Sequence, residues 1–391
     1  MRRIVYSLMS LFLVTILLLS SCSNADPCSQ QKKDMRAWLT DAKLNAQETP
    51  EQLYQAALQE STLVIYSVTT RVLAVKESFE AQYPGLTVEV QDIRASDLIA
   101  ALKENYKQRQ YACDIAICTD SDTALSRDLI PNGLLYKYVP YDISGKLLPG
   151  HNTDQLEFLG EGEQIFYNSE VYDTPPVTNW WQLTEPRFKG HINIVNPLRS
   201  EQVLALFITM VQKSDEMVQA YRDLYGKDLD IPQGSNAGKV FLQKLIENGL
   251  QYTNSSDEVV EAVGTPGQTD PPLGIMLSSK VRMQDIGYKI APIFNIQPSA
   301  GIYAPKSIMI AGGAKNINTA KLFIRWILGE ADGSGEGYKP YLQNGTWSVR
   351  SDVKSETAIT LGQADFWRLD KAYIATNKDD ITSYWLTLNK L

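Results

Sequence analysis

From Leu63 onward the hydrophobic period of the chain switches repeatedly between that of a strand and that of a helix. Leu63 to Tyr66 is a compact apolar run, after which Val72, Val75, Phe79 and Tyr83 recur at helical spacing, and Leu86, Val88 and Val90 alternate as in a strand. Pro84-Gly85 breaks the helix from the strand. Ser96 stands where a cap is expected for a helix running to about Tyr106, and Asp114 to Cys118 reads as the next strand. This β-α-β-α-β order predicts parallel strands with helices on their faces. Ligands of such sheets gather at the C-terminal ends of the strands, here Ser67 to Arg71 and Thr119 to Asp122.

A second set of alternating elements begins after Tyr167. Ile192 to Val195 reads as a strand, Ser200 to Val211 as a helix, Gly238 to Glu247 as another, and Ser255 with Glu258 as a capping box before Val259 to Val263. Leu273 to Leu277 is a short buried strand, and Ile302 to Ile310 followed by a helix over Ile317 to Leu328 resumes the pattern. From Gly329 the tail is irregular, rich in Gly, Tyr and Trp, with helices expected toward its end. Near the start, Thr49, Pro50 and Gln52 supply an N-cap, a first-turn proline and the return partner of a capping box. No repeat of fixed period occurs, which excludes a solenoid.

The first residues change this picture from a body to an exported body. Arg2 and Arg3 precede an apolar run from Ile4 to Leu19, the layout of a secretory signal. Leu19-Ser20-Ser21-Cys22 closes it and resembles the lipobox of bacterial lipoproteins, in which the cysteine is acylated and becomes the new N-terminus. Cys22 is therefore the expected lipid attachment, residues 1–21 the signal, and 22–48 a polar leader that spaces the body from the membrane, with a short amphipathic helix around Met35 to Leu44. Roughly 330 residues then remain, more than one core usually serves, so two lobes are expected. The formal net charge of -8 moves to about -10 once Arg2 and Arg3 are removed, and no basic block occurs, which argues against nucleic acid and anionic lipid as partners.

Acylation of Cys22 leaves three of the four cysteines, an odd number that cannot pair fully within the chain. Cys113 and Cys118 are five apart along an apparent strand, so they are expected on opposite faces, unbridged, as buried small residues. Only His151 and His191 are present and neither neighbours a cysteine pair, so no metal site is expected.

The run Leu63 to Val90, "LVIYSVTTRVLAVKESFEAQYPGLTVEV", resembles the opening of the extracellular solute-binding proteins of ABC importers. "YACDIAIC" at Tyr111 to Cys118, "FYNSEVYDTPPVTNWWQLTEPRFKGHINIVNPLRSE" at Phe166 to Glu201 and "AGGAKNINTAKLFIRWIL" at Ala311 to Leu328 continue the similarity in order. The branch it resembles holds ferric-iron, sugar-phosphate and polyamine binders. The resemblance implies an α/β, two-lobed periplasmic-binding-protein-like (type II) fold with a ligand cleft between the lobes. Lobe 1 is expected over 49–160, lobe 2 over 161–295, and the rest of lobe 1 with C-terminal helices over 296–391, with crossings near Glu157 to Phe166 and Ile290 to Tyr303. It further implies a permease partner, hinged closure on a small solute, a monomer, no cofactor and no enzymatic role.

Candidate ligand contacts follow from the strand ends. Ser67, Thr69, Thr70 and Arg71 form one strand-to-helix turn and Arg199 with Ser200 another, where free N–H groups and the helix dipole favour an anion. Ser278, Ser279 and Arg282 follow the second-lobe strand at the place where iron binders carry adjacent tyrosines. No adjacent tyrosine pair exists in this chain, so hydroxyls and cations suit an anionic or phosphorylated solute. Thr119, Asp120 and Ser121 are expected to accept hydrogen bonds from solute hydroxyls. A ferric-iron or polyamine binder, a lipid-anchored receptor and a hydrolase stay open as alternatives. The hydrolase has neither Gly-x-Ser-x-Gly nor His-Glu-x-x-His to support it.

Overall fold

The computed structural model describes residues 27–389; the signal and the expected attachment at Cys22 lie outside the described residues. In chain order the elements begin with helix α1 (Pro27–Ala42), α2 (Pro50–Ala57), strand β1 (Leu63–Ser67), α3 (Val72–Gln82), β2 (Val88–Asp92), α4 (Ala95–Gln108), β3 (Ile115–Cys118), β4 (Leu135–Tyr136) and β5 (Glu157–Gly160). There follow β6 (Gly162–Asn168), β7 (Ile192–Val195), α5 (Glu201–Gln212), α6 (Ser214–Tyr225), α7 (Ala237–Glu247), β8 (Gln251–Thr253), α8 (Ser256–Gly264), β9 (Leu273–Leu277) and β10 (Ile290–Pro292). The last are β11 (Gly301–Tyr303), β12 (Lys306–Ala311), α9 (Ile317–Ile327), β13 (Trp347–Ser348), β14 (Phe366–Trp367) and α10 (Lys371–Leu388).

The strands sort into two sheets. Lobe 1 carries the order β13-β5-β12-β3-β1-β2, with β4 paired to β12; lobe 2 carries β14-β11-β6-β9-β7-β8, with β10 paired to β6. β1 is parallel to β2 and β3, and β7 is parallel to β8 and β9, as the β-α alternation requires. Alternation within β3 divides the lobe 1 core: Ile115 and Ile117 face the helices α2, α3 and α9, whereas Ala116 and Cys118 face α4. Val72, Val75 and Phe79 of α3 are fully buried, each contributing about 1.5–3 kcal/mol of apolar burial.

The chain crosses between sheets three times: at Glu161, at Ala304-Pro305, and over 349–365. Residues 290–303 lie wholly in lobe 2, so the second crossing falls just beyond the expected stretch. The third has no counterpart in the sequence reading. It returns the tail to lobe 2, where β14 pairs with β11 and Ile374, Ile381 and Trp385 of α10 join that lobe's core. Residues 296–303 thus leave the segment expected to complete lobe 1, and the terminal helix expected after it packs on lobe 2.

Three local expectations also change. Arg94, not Ser96, occupies the cap of α4, and no side chain caps it there. Cys113 and Cys118 are both buried, free, and in the same apolar cluster, because Cys113 precedes the strand and escapes its alternation. The leader is packed, since α1 buries Met35 and Ala42, and Trp38 Nε1 donates to the Ala314 carbonyl at 2.9 Å.

Candidate solute-binding cleft

The loops after β1, β2, β7 and β8 open toward the space between the lobes and enclose a cleft of about 990 Å³. From lobe 1 it is lined by Val68, Arg94, Ser96 and Asp122, and from lobe 2 by Arg199, Ser200, Glu201 and Gln202. The first residues of α4, α5 and α8 all reach it. Ser200 caps α5 by accepting from Val203 N at 3.3 Å, and Ser255 caps α8 through Glu258 N. α4 has no such side-chain cap, so its first N–H groups remain available to a ligand.

Charge in the cleft is mixed. Arg94 and Arg199 are exposed on its two walls, and Arg199 Nη1 donates to Asn254 Oδ1 at 2.7 Å. Glu201 Oε2 is buried with no hydrogen-bond partner. Burial, then the nearby Asp122, push the Glu201 carboxyl up to about 7 against the opposing pull of Lys378. Two arginines and an unsatisfied carboxyl whose ionisation is disfavoured can hold, respectively, an anionic group and a hydroxyl.

A second polar cluster sits at the first crossing. Glu161 is fully buried and takes an ion pair from Arg71 at one oxygen and from Lys306 at the other, the latter at 2.8 Å. Burial alone would raise its pKa. Lys306 and Arg71, with hydrogen bonds from Lys306 and Ser279, outweigh burial and hold it at about 2. The Arg71 guanidinium also lies over the Tyr341 ring, 4.9 Å from its centre. Ser278 Oγ accepts from Gly162 N at 2.9 Å, and Arg282 donates to the Ser279 carbonyl. Burial and the neighbouring Arg71 lower the pKa of Arg282. Beside this cluster, burial with some help from Glu161 lifts Glu163 to about 8, so it is neutral at pH 7.

The structure therefore divides the sequence-derived contacts. Arg199 and Ser200 line the cleft, whereas Arg71, Ser278, Ser279 and Arg282 gather at the crossing. Ser67 spends its hydroxyl on Thr69 N and Thr69 O, and Thr69 Oγ1 accepts from Arg71 N at 3.4 Å; Thr70 is exposed. Thr119 accepts from Gln202 across the lobes at 3.0 Å. Asp120 accepts from Leu125 N, Ser126 N and Gln155 and pairs with Lys371 at 2.8 Å, which occupies the oxygens expected to meet solute hydroxyls. Ser121 lines a separate cavity of about 560 Å³ with Glu157, Tyr303 and Arg368.

Sequence reasoning missed Arg94, Glu201, Gln202, Glu161, Lys306 and the α10 lysines. A signal existed for Glu161, because glycines flank it. A Cβ on Gly162 would come within 2.1 Å of the Phe366 ring and one on Gly160 within 3.2 Å of Trp347, so a side chain is excluded at the first unless Phe366 moves and is crowded at the second. Lys371 and Lys378, which reach Asp120 and Asp122 of lobe 1 from a helix of lobe 2, carry no such mark.

No family model matches the chain. An uncharacterized protein of Haemophilus influenzae is 26% identical over 192 residues, 49% of this chain and 45% of that protein, so the chain spans about half the length of the curated relative it matches. Solved structures match over far more of it. Iron-bound HitA from Pseudomonas aeruginosa superposes with a TM-score of 0.61 at 16% identity, over 84% of this chain and 99% of that one. AfuA from Actinobacillus pleuropneumoniae with fructose-6-phosphate gives 0.63 at 18%, over 85% and 99%. The substrate-binding protein of an ABC transporter from Agrobacterium tumefaciens gives 0.64 at 13%, over 84% and 94%. The fold is that of the two-lobed periplasmic binding proteins. Within that fold the cleft lies between the lobes, at the ends of the parallel strands. Among the described residues no helix is long and apolar enough to cross a membrane.

Proposed function

We propose that the chain is the solute-capturing component of an ABC importer, closing its lobes on a small hydroxylated anion and presenting it to a permease. The observation that carries this reading is the cleft itself. Its two walls come from different lobes and each brings an arginine, while Glu201 offers an unsatisfied buried oxygen. An anionic group between Arg94 and Arg199, near the uncapped start of α4, and a hydroxyl on Glu201 would satisfy all three. A polyamine fits less well, because Arg94 and Arg199 line the cleft without an ion pair among the described residues, while Lys378 already takes up Asp122. Contacts shared between the lobes exist only when they are closed, so affinity and closure are one equilibrium.

The body acts as a monomer held outside the cytoplasm by lipid at Cys22, and binding rather than catalysis is its role. Support comes from the lipobox-like Leu19 to Cys22 run and from the binding proteins that share the fold. Native mass spectrometry of gently purified protein tests the reading, followed by thermal shifts with hydroxylated phosphates and carboxylates. A retained small anion, or a melting point raised by one class of them, is the expected result. A bare polypeptide that no anion stabilises would sink the proposal.

A further inference from the structure

The polar leader reads as a spacer in the sequence, yet α1 is fastened along lobe 1. Met35 and Ala42 are buried, Trp38 donates to Ala314 O and meets the Tyr136 ring at 5.3 Å, and Gln31 Nε2 donates to Tyr106 O at the C-terminal end of α4. Beyond the helix, Lys321 of α9 donates to Lys43 O at 3.2 Å and pairs with Glu48. Every one of these partners belongs to lobe 1. Between Cys22 and Pro27 stand only Ser23, Asn24, Ala25 and Asp26, so the cysteine lies at most about 18 Å from the start of α1.

That end of lobe 1 has the opposite charge to the whole. Exposed Lys32, Lys33 and Arg36 on α1 adjoin Lys107 and Arg109 at the end of α4, with Asp34 and Glu104 as the acidic groups among them. Even with Asp26 of the tether counted against it, the patch keeps an excess of positive charge in a chain whose formal net charge is -8.

We propose that this basic end of lobe 1 is a membrane-docking face that rests on anionic lipid headgroups, making lobe 1 the held lobe and lobe 2 the one that swings. The inference rests on acylation of Cys22. A tether this short brings the patch within reach of the surface, where each basic side chain strengthens attraction to anionic lipid about fivefold and the effect decays within a Debye length of about 8–10 Å. Docking confines the opening motion to lobe 2 and sets the direction from which a permease meets the cleft.

The test uses the full acylated protein in vesicles of phosphatidylcholine, alone or mixed with phosphatidylglycerol, and its intact mass reports the lipid. A fluorophore is placed at Gln108→Cys beside the patch or at Lys227→Cys on lobe 2, each with Cys28→Ser, and a quencher is carried on the lipid headgroups. Quenching at position 108 is expected to exceed that at 227 several-fold in the mixed vesicles. The excess should vanish in the Lys32→Glu, Lys33→Glu, Arg36→Glu variant, whose melting temperature stays unchanged, and at about 0.5 M salt. Equal quenching at both positions in protein whose mass includes the lipid overturns the docking face and leaves the anchor standing. A mass without lipid overturns both.

Discussion

The crossing at Glu161 and the cleft beside Glu201 are both acidic residues set among basic ones between the lobes, but they are balanced differently. Glu161 has Arg71 and Lys306 on its two oxygens and Ser279 as a further donor, so the protein supplies its own anion to a cationic nest. Glu201 has a buried oxygen with no partner, and the arginines near it stand on opposite walls of an open space. Both clusters keep a buried atom without a hydrogen-bond partner, Arg71 Nη1 in the first and Glu201 Oε2 in the second, so what separates them is that two cations inside the chain compensate the charge of Glu161, whereas Glu201 faces an open space. The first cluster therefore braces the crossing from within the chain, and the second leaves the cleft open to a partner.

The comparison breaks most visibly at Glu161. Replacing it by Gln leaves Arg71 and Lys306 buried without their counter-charge and should cost about 3–5 kcal/mol in urea unfolding. If Glu161→Gln unfolds like the parent, the cluster does not brace the crossing. Next in size is Glu163→Gln. Glu163 is held protonated, with a pKa raised from 4.5 to about 8, so the stability it contributes is present below pH 4.5 and is lost as pH rises toward 8. The variant escapes that loss and should be more stable than the parent by a margin that grows across this window, reaching at most about 5 kcal/mol above it. A melting difference independent of pH would refute the assignment.

In the cleft the expected signature is reversed. Arg199→Ala should weaken binding of the anion retained in native mass spectrometry by about 10-fold or more, the scale of one charge-assisted hydrogen bond, while urea unfolding moves by less than about 0.5 kcal/mol. Calorimetric titration checks the first and unfolding the second. Smallest of all, Lys371→Ala removes a half-exposed interlobe pair and should change stability by about 0–1 kcal/mol, yet the radius of gyration measured by X-ray scattering should rise. Unchanged scattering would confine Lys371 to lobe 2 packing.

Much of the scaffold was legible because it rests on local rules. The capping box at Thr49 and Gln52, the buried face Val72, Val75 and Phe79, and the strands at Leu63 and Leu273 all form where period and cap placed them. The tail was less legible. α10 is the helix expected near the end of the tail, but its buried residues Ile374, Ile381 and Trp385 form too sparse a stripe to tell which lobe it packs on. The site was legible only in outline. Turns at strand ends were located correctly, but Ser67, Thr69 and Asp120 turn their oxygens inward onto neighbouring backbone, and Arg71 is drawn to Glu161 through Nη2.

By itself, the sequence determined the succession of strands and helices, the two-lobed body and the places where ligand loops occur, because hydrophobic period, capping and glycine act over a few residues. Only the tertiary structure decided which charges are free. Whether an arginine meets a solute or a buried glutamate depends on what another segment brings beside it. Glu161 reaches Arg71 from 90 positions away and Lys378 reaches Asp122 from 256. Coulomb energy is set by separation in space and by burial, and neither can be read along the chain.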